Sequence, residues 1–200
     1  MERIKLEEVA EEEEREDLVV EHELKGVEPE MIDWFWIYLT EGAMQGREEA
    51  TRRYKLWHPR DHLSFEGEEG WMIHRVVERI GETLPVEMRM RVENPDETPI
   101  PRSTSYTHAV ASCILGKNDR PIGWVLHEYD RMPGGTKMRS TFRLPRTLLS
   151  MVGENLRRHC LEEMGSSRIF FPNSTGKEGS QDSPGSSLST VMGQTPFSNS

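Results

Sequence analysis

Apolar residues along this chain follow two different periods, and the change from one to the other divides it. Over residues 27–38, Val-Glu-Pro-Glu-Met-Ile-Asp-Trp-Phe-Trp-Ile-Tyr, Pro29 stands where a helix would begin, and a dense aromatic face follows it. A second helical stretch is expected over Arg47 to Leu56, before Pro59 stops it. From Pro85 the period becomes two. Val86, Met88, Met90 and Val92 alternate with Glu87, Arg89, Arg91 and Glu93, as in a strand with two unlike faces.

Strand-like runs follow at Ser103 to Leu115, Ile122 to Tyr129 and Thr136 to Leu144. Met132-Pro-Gly-Gly135 supplies turn chemistry that joins the last two as an antiparallel hairpin. After Pro145 the residues Leu148, Leu149, Val152, Leu156, Cys160 and Met164 recur at helical spacing, which predicts an amphipathic helix from Arg146 to Met164. Trp71 to Gly81 fits either period. A helical first part, consecutive antiparallel strands and one long terminal helix predict an α+β fold. A curved sheet gripping that helix would enclose a pocket.

Composition sets the boundaries. Charged residues make up 30 % of the chain and apolar ones 34 %, and the polar excess gathers at the two ends. Residues 1–24 are expected to be an acidic arm, with residues 7–17 a solvated helix or disordered. Residues 25–171 form the folded domain, its helical part over 25–80 and its sheet and terminal helix over 81–171. Residues 172–200, rich in Ser and Gly, are expected to be disordered. A net charge of −10 disfavours nucleic acid and anionic membrane surfaces as partners. The start of the chain lacks the apolar run of a secretory signal, so a cytoplasmic location is expected, with Cys113 and Cys160 reduced.

The chemistry concentrates in Tyr54-Lys-Leu-Trp57-His58-Pro-Arg-Asp61-His62 and in His159-Cys-Leu-Glu-Glu163. His159 and Glu163 are four apart and share one helix face. Imidazole nitrogen and carboxylate oxygen are zinc ligands, and His58 and His62 are the candidates from the earlier segment. Asp61 could orient an imidazole from behind. Glu87 and Glu93, on one strand face, offer a further oxygen. Spacing does not decide the matter, because His74 and Glu78 have it too, and such a pair can equally be an exposed helix contact. Trp34, Phe35 and Trp36 read as core, and His22 and His108 as isolated structural histidines.

Gly26-Val-Glu-Pro-Glu-Met-Ile-Asp-Trp-Phe-Trp36, Tyr54…Trp57-His58-Pro59…His62, His127…Gly134-Gly135-Thr…Met-Arg-Ser-Thr-Phe142 and His159…Glu163, in that order, resemble the 2,4-diacetylphloroglucinol hydrolase family over roughly residues 25 to 165. The resemblance implies a helix-grip (Bet v 1-like) fold. It also implies a zinc-dependent hydrolase that cleaves the carbon–carbon bond between an acyl group and a phenolic ring. Zinc would be held by His62, Glu93, His159 and Glu163, with Glu93 taken over Glu87 for its distance from His62. His127 would be the acid/base, and Tyr54 the second catalytic residue, holding a phenolic oxygen or the acyl oxygen. Tyr54, Trp57 and Phe142 would meet the substrate, and Trp34 and Trp36 could add aromatic walls.

Two departures bear on substrate. Phe142 stands where the family has a tyrosine, and Phe65 where it has an asparagine. The segment between Phe142 and His159 is also short. A phenolic or polyketide-like small molecule, more apolar than diacetylphloroglucinol, is therefore the expected substrate, with a homodimer as the assembly to look for. The alternative is a pocket-binding or cyclase-like protein of the same fold acting on a polyketide without metal hydrolysis. A third reading is an interaction protein working through its two tails.

Overall fold

The computed structural model describes residues 3–6, 14–68 and 72–166. The elements are β1 (Ile4–Lys5), β2 (Arg15–Lys25), α1 (Pro29–Met44), α2 (Arg47–Trp57), β3 (His62–Gly67), β4 (Ile73–Glu78), β5 (Val86–Glu93), β6 (His108–Leu115), β7 (Pro121–Met132), β8 (Gly135–Pro145) and α3 (Arg146–Ser166). The sheet runs β2-β8-β7-β6-β5-β4-β3 with antiparallel neighbours, and β1 pairs parallel with the start of β5. The α+β class is as expected, with α1, α2 and α3 on one face of the sheet.

That face is built by parity. Directly paired residues point the same way, so Val20, His22 and Leu24 of β2 share a side with Met138, Ser140 and Phe142 of β8. His127 and Tyr129 of β7 join them, then Met88 and Met90 of β5 and Val76 and Glu78 of β4. Most of the buried hydrophobic residues form one cluster here, together with Ile32, Phe35 and Leu39 of α1, Tyr54 and Trp57 of α2, and Leu156, Cys160 and Met164 of α3. Among the described residues the other face carries a small cluster of Ile100, Ala111 and Leu126, with Val77, Cys113 and Leu115 also buried on that side.

Each helix has a local cause. Pro29 opens α1, and Glu30 lies in the first turn, where negative charge suits the helix dipole. Asp33 pins α1 to the sheet, accepting from the Tyr129 hydroxyl at 2.6 Å and pairing with His108 Nδ1 at 2.9 Å. His108, expected to be isolated, thus has company in Asp33 and in the Tyr129 ring stacked on it. In α2 the buried residues Ala50, Arg53, Tyr54 and Trp57 lie on one stripe. In α3 the stripe is Val152, Leu156, His159, Cys160, Glu163 and Met164. An imidazole and a carboxylate inside an apolar stripe must be compensated, because burying a charge costs several kcal/mol unless it is paired. Pro133 and Gly134 (φ 81°) make the tight β7–β8 turn, a backbone conformation that glycine adopts without strain.

Two boundaries differ from the sequence reading. Residues 15–24 are not an arm: they belong to β2, which pairs with β8 along its whole length. Its outward acids, Asp17, Glu21 and Glu23, masked the alternation of Leu18, Val20, His22 and Leu24. The stretch expected to be helical over 25–80 also contains β3 and β4, so Trp71 to Gly81 resolves in favour of a strand over Ile73–Glu78. The tail over 172–200 and residues 7–13 of the acidic block lie outside the described residues. Among the described residues no helix is long and apolar enough to cross a membrane. Cys113 and Cys160 are both free and buried.

Candidate metal centre

His62 opens β3, Glu78 closes β4, and His159 and Glu163 face them from α3. Phe65 pairs with Val76 and Ser64 with Val77. Continued regularly, Leu63 would meet Glu78. A bulge between His62 and Ser64 instead sets His62 opposite Glu78 and turns the imidazole to the helix side. His62 is 0 % exposed.

His62 Nε2 lies 3.2 Å from Glu163 Oε1, and His159 Nε2 lies 3.8 Å from Glu78 Oε2. His62 Nδ1 is 3.0 Å from the Tyr54 carbonyl, so Nδ1–H donates there and Nε2 is left bare toward the carboxylates. The Tyr54 ring stacks on His62 with centroids 3.9 Å apart, and its hydroxyl donates to Glu78. Trp57 crosses His62 edge-on and donates from Nε1 to the Glu163 carbonyl at 3.1 Å.

Behind His159 stands a second layer. Its Nδ1 is 3.7 Å from Asp61 Oδ2, and Asp61 is held by both arms of the Arg60 guanidinium. The His58 ring stacks on His159 with its Nδ1 accepting from the Asp61 backbone N–H at 3.3 Å, which leaves Nε2–H toward Asp61 and Glu162. His58 therefore braces the site through Asp61 and His159.

Electrostatics make the four inner groups unstable company for one another. Burial pushes His62 down to about 3 and also lowers His159, so both imidazoles are neutral near pH 7. Burial pushes Glu78 and Glu163 up, and for Glu78 the neighbouring Glu163 charge adds to it. His62 Nε2 and both His159 ring nitrogens are buried without a hydrogen-bond partner. Unpartnered nitrogen donors beside two carboxylates that resist ionisation fit a divalent cation, whose charge would ionise both acids and occupy the bare nitrogens. The ligand atoms of His62, His159 and Glu163 all lie within 4.8 Å of one another.

Of the four ligands expected, the structure gathers His62, His159 and Glu163 and leaves Glu93 outside. Glu78 pairs with Val86 at the start of β5, whereas Glu93 is at the other end, about 23 Å away at roughly 3.3 Å per residue. Glu93 also has the opposite parity, so it faces the far side of the sheet, where it accepts from Arg91 at 2.7 and 2.9 Å. Glu87 is on that far side too, bound to Arg75 and Arg3. Glu78 was legible only as the partner of His74 in a weak spacing pattern. What identifies it is strand register.

The other expected residues fall in two places. The Tyr54 hydroxyl, expected on substrate, is committed to Glu78, and Trp57 is buried against His62, Phe35 and Trp36. His127 and Phe142 lie further along the same face. Phe142 meets His127 edge-on at 6.1 Å, and Trp36 stacks over His127 at 5.7 Å. Ring contacts thus run from His62 through Trp57 and Trp36 to His127. Phe65 packs on Tyr54 and His74. Trp34 stacks on Tyr38 and is about half exposed. His22, expected to be isolated, has company: Ser140 and Cys160 both contact its Nε2.

Comparison with known proteins bears on this geometry at two levels. The solved structure of Ara h 8.0201 aligns over 78 % of this chain and 97 % of its own, at 10 % identity and a TM-score of 0.50, a likeness in fold alone that makes this a helix-grip protein. Protein Ms6760 from Mycobacterium smegmatis (9 % identity, 77 % and 89 % covered, TM-score 0.45) aligns less well. So does protein SA2116 from Staphylococcus aureus (14 %, 80 % and 90 %, 0.38). No curated protein matches the chain. The sequence profile of the DAPG hydrolase PhiG domain matches residues 18–178, from within β2 to beyond the end of α3, and the chain belongs to that family.

Proposed function

We propose that this protein is a zinc-dependent hydrolase that cleaves the carbon–carbon bond between an acyl group and a phenolic ring. One observation carries the reading: His62, His159 and Glu163 are buried with their ligand atoms within 4.8 Å of one another, and His62 Nε2 and both His159 ring nitrogens lack a hydrogen-bond partner. Glu78 lies beside His159, and the chain is of a family named for a hydrolase. His62, Glu78, His159 and Glu163 would hold the metal. Zinc bound there supplies a water acidic enough to be nucleophilic near pH 7 and polarises an acyl oxygen.

Loss of the acyl group from a phenolic ring needs a proton moved from a phenol oxygen to the ring carbon. His127 is the group suited to it. Its Nδ1 is engaged by Ser140, so Nε2 is the nitrogen that would exchange a proton with substrate. Burial lowers His127 to about 3, with the nearby His22 ring adding to the effect, and this keeps it a neutral base. Tyr54 holds the Glu78 carboxylate in place, and Trp57 holds the backbone carbonyl of Glu163. Phe142 and Trp36 present apolar surface around His127. A tyrosine hydroxyl there would demand a hydrogen-bonding partner on the substrate, and Phe142 makes no such demand. This supports an acylphenol poorer in hydroxyls than diacetylphloroglucinol.

The test is metal analysis of the purified protein together with turnover of acylphloroglucinols and simpler acylphenols, following release of the free carboxylic acid. Stoichiometric zinc with chelator-sensitive acid release is expected. A protein without zinc that binds the same phenols and releases no acid is instead a pocket binder or cyclase.

A further inference from the structure

Behind His127 lies a chain of polar contacts in an otherwise apolar interior. His127 Nδ1 is 2.8 Å from Ser140 Oγ, and that oxygen is 3.3 Å from His22 Nε2. Cys160 Sγ approaches the same His22 nitrogen at 3.5 Å. Register explains the meeting: Ser140 is directly opposite His127 on β7 and lies next to β2, where His22 pairs with Met138. Ser140 is 0 % exposed and both imidazoles 8 %.

A serine hydroxyl has one hydrogen to give. It can donate to one ring nitrogen and must accept from the other. Since burial keeps both rings neutral, lowering His22 to about 4 as well, the tautomers of His22 and His127 are tied together through Ser140. In one arrangement His127 Nδ1–H donates to Ser140, Ser140 donates to His22, and His127 Nε2 is bare, a base. In the other, His22 Nε2–H donates to Ser140, Ser140 donates to His127 Nδ1, and His127 Nε2 carries the hydrogen, an acid.

We propose that Ser140 and His22 are positioning residues that form a proton relay behind His127, so that one ring serves as base and then as acid within a single turnover. In the first half a phenol proton passes to His127 Nε2, the Nδ1 proton to Ser140 Oγ, and the Ser140 hydroxyl proton to His22 Nε2, leaving the positive charge on His22. In the second half His127 Nε2–H passes to the ring carbon, the Ser140 proton returns to His127 Nδ1, and His22 Nε2–H returns to Ser140. The net change is one proton moved from phenol oxygen to ring carbon, with both imidazoles restored. The stacked Trp36 fixes the plane of the His127 ring.

The kinetic part of this inference rests on the hydrolase reading, and the tautomer part does not. Long-range proton–nitrogen NMR of isotope-labelled full-length protein reads the tautomers without substrate. The wild type should show opposite states at the two nitrogens that face Ser140, one protonated and one bare. Ser140→Ala should leave His127 a mixture of tautomers, and Ser140→Thr, which keeps the hydroxyl, should restore a single one. Like states on both rings in the wild type, or an unchanged His127 in Ser140→Ala, overturns the relay.

With an acylphenol that turns over, His22→Leu should lower kcat about ten-fold or more, part of the roughly 10²–10⁴ available to general acid–base catalysis, with KM nearly unchanged. Undiminished kcat in a folded, zinc-replete His22→Leu protein also overturns it. If the wild type cleaves no acylphenol, the hydrolase reading fails and the tautomer spectra alone decide the relay.

Discussion

His62 faces Glu78 across the β3–β4 pair because a bulge has shifted the strand by one residue. Without that bulge Leu63 would meet Glu78, and His62 would point away from α3. Period two makes a one-residue slip equivalent to turning a side chain through the sheet. Glu78 should therefore be a ligand and Glu93 should not. Glu78→Gln is expected to weaken zinc binding by more than the roughly 10–100-fold typical of losing an outer-sphere partner. Glu93→Gln should retain wild-type zinc content. Metal analysis of the two purified variants checks this, and the reverse pattern would return Glu93 to the site.

Much of this fold could be read in the chain, and most of the site could not be closed from it. The β7–β8 hairpin declares itself through Pro133 and Gly134, and α3 through its apolar stripe. His159 and Glu163 fall on that stripe because helical spacing is local information. The His62–Glu78 contact depends on a bulge and on a hairpin register, which are settled by packing between elements. Family spacing pointed to Glu93, but parity and distance along β5 exclude it. β2 was hidden for a different reason, since its outward-facing acids dominated the composition while every second residue was suited to the core. Charge on the exposed side of an edge strand is how such strands resist pairing with other chains.

Removing the metal should destabilise the protein in a pH-dependent way. Glu78 and Glu163 are held above the ordinary carboxyl range by burial. A carboxyl whose pKa is raised by folding favours the folded state most below its unfolded value, here 4.5, and loses that contribution as pH rises through its folded value. The chelated protein should thus weaken progressively on going from about pH 5 to about pH 8, whereas in the zinc-bound protein both acids are ionised against the cation. Zinc in thousand-fold excess over its Kd adds about 4 kcal/mol. Thermal melts with chelator and with zinc should separate more at the higher pH. A constant separation would argue that the two carboxyls do not bind the ion.

The acid limb has another origin. His22 and His127 are lowered by burial to about 4 and about 3 from 6.5. A histidine whose pKa is depressed by folding contributes its full stability above 6.5 and loses it as pH falls toward the folded value, because the unfolded chain binds the proton first. Each such group adds a slope of up to about 1.4 kcal/mol per pH unit below that point. Urea unfolding at intervals from about pH 7 to about pH 5 should show this slope, and His22→Leu should make it shallower. An equal slope in the variant would mean that His22 is not buried neutral.

Tyr54 offers the sharpest separation between a metal role and a substrate role. Its carbonyl accepts from His62 Nδ1–H and its hydroxyl donates to Glu78, so one residue of α2 fixes two of the proposed ligands at once. Tyr54→Phe keeps the backbone carbonyl and the stacked ring but frees Glu78 to rotate. Outer-sphere losses of this kind weaken metal binding by roughly 10–100-fold. The expected outcome is therefore a drop in zinc affinity, measured by competition with a chromogenic chelator, with KM for an acylphenol close to wild type once zinc is saturating. If zinc affinity stays constant and KM rises instead, the hydroxyl leaves Glu78 for the substrate, and Tyr54 acts on the phenol as the family resemblance implied.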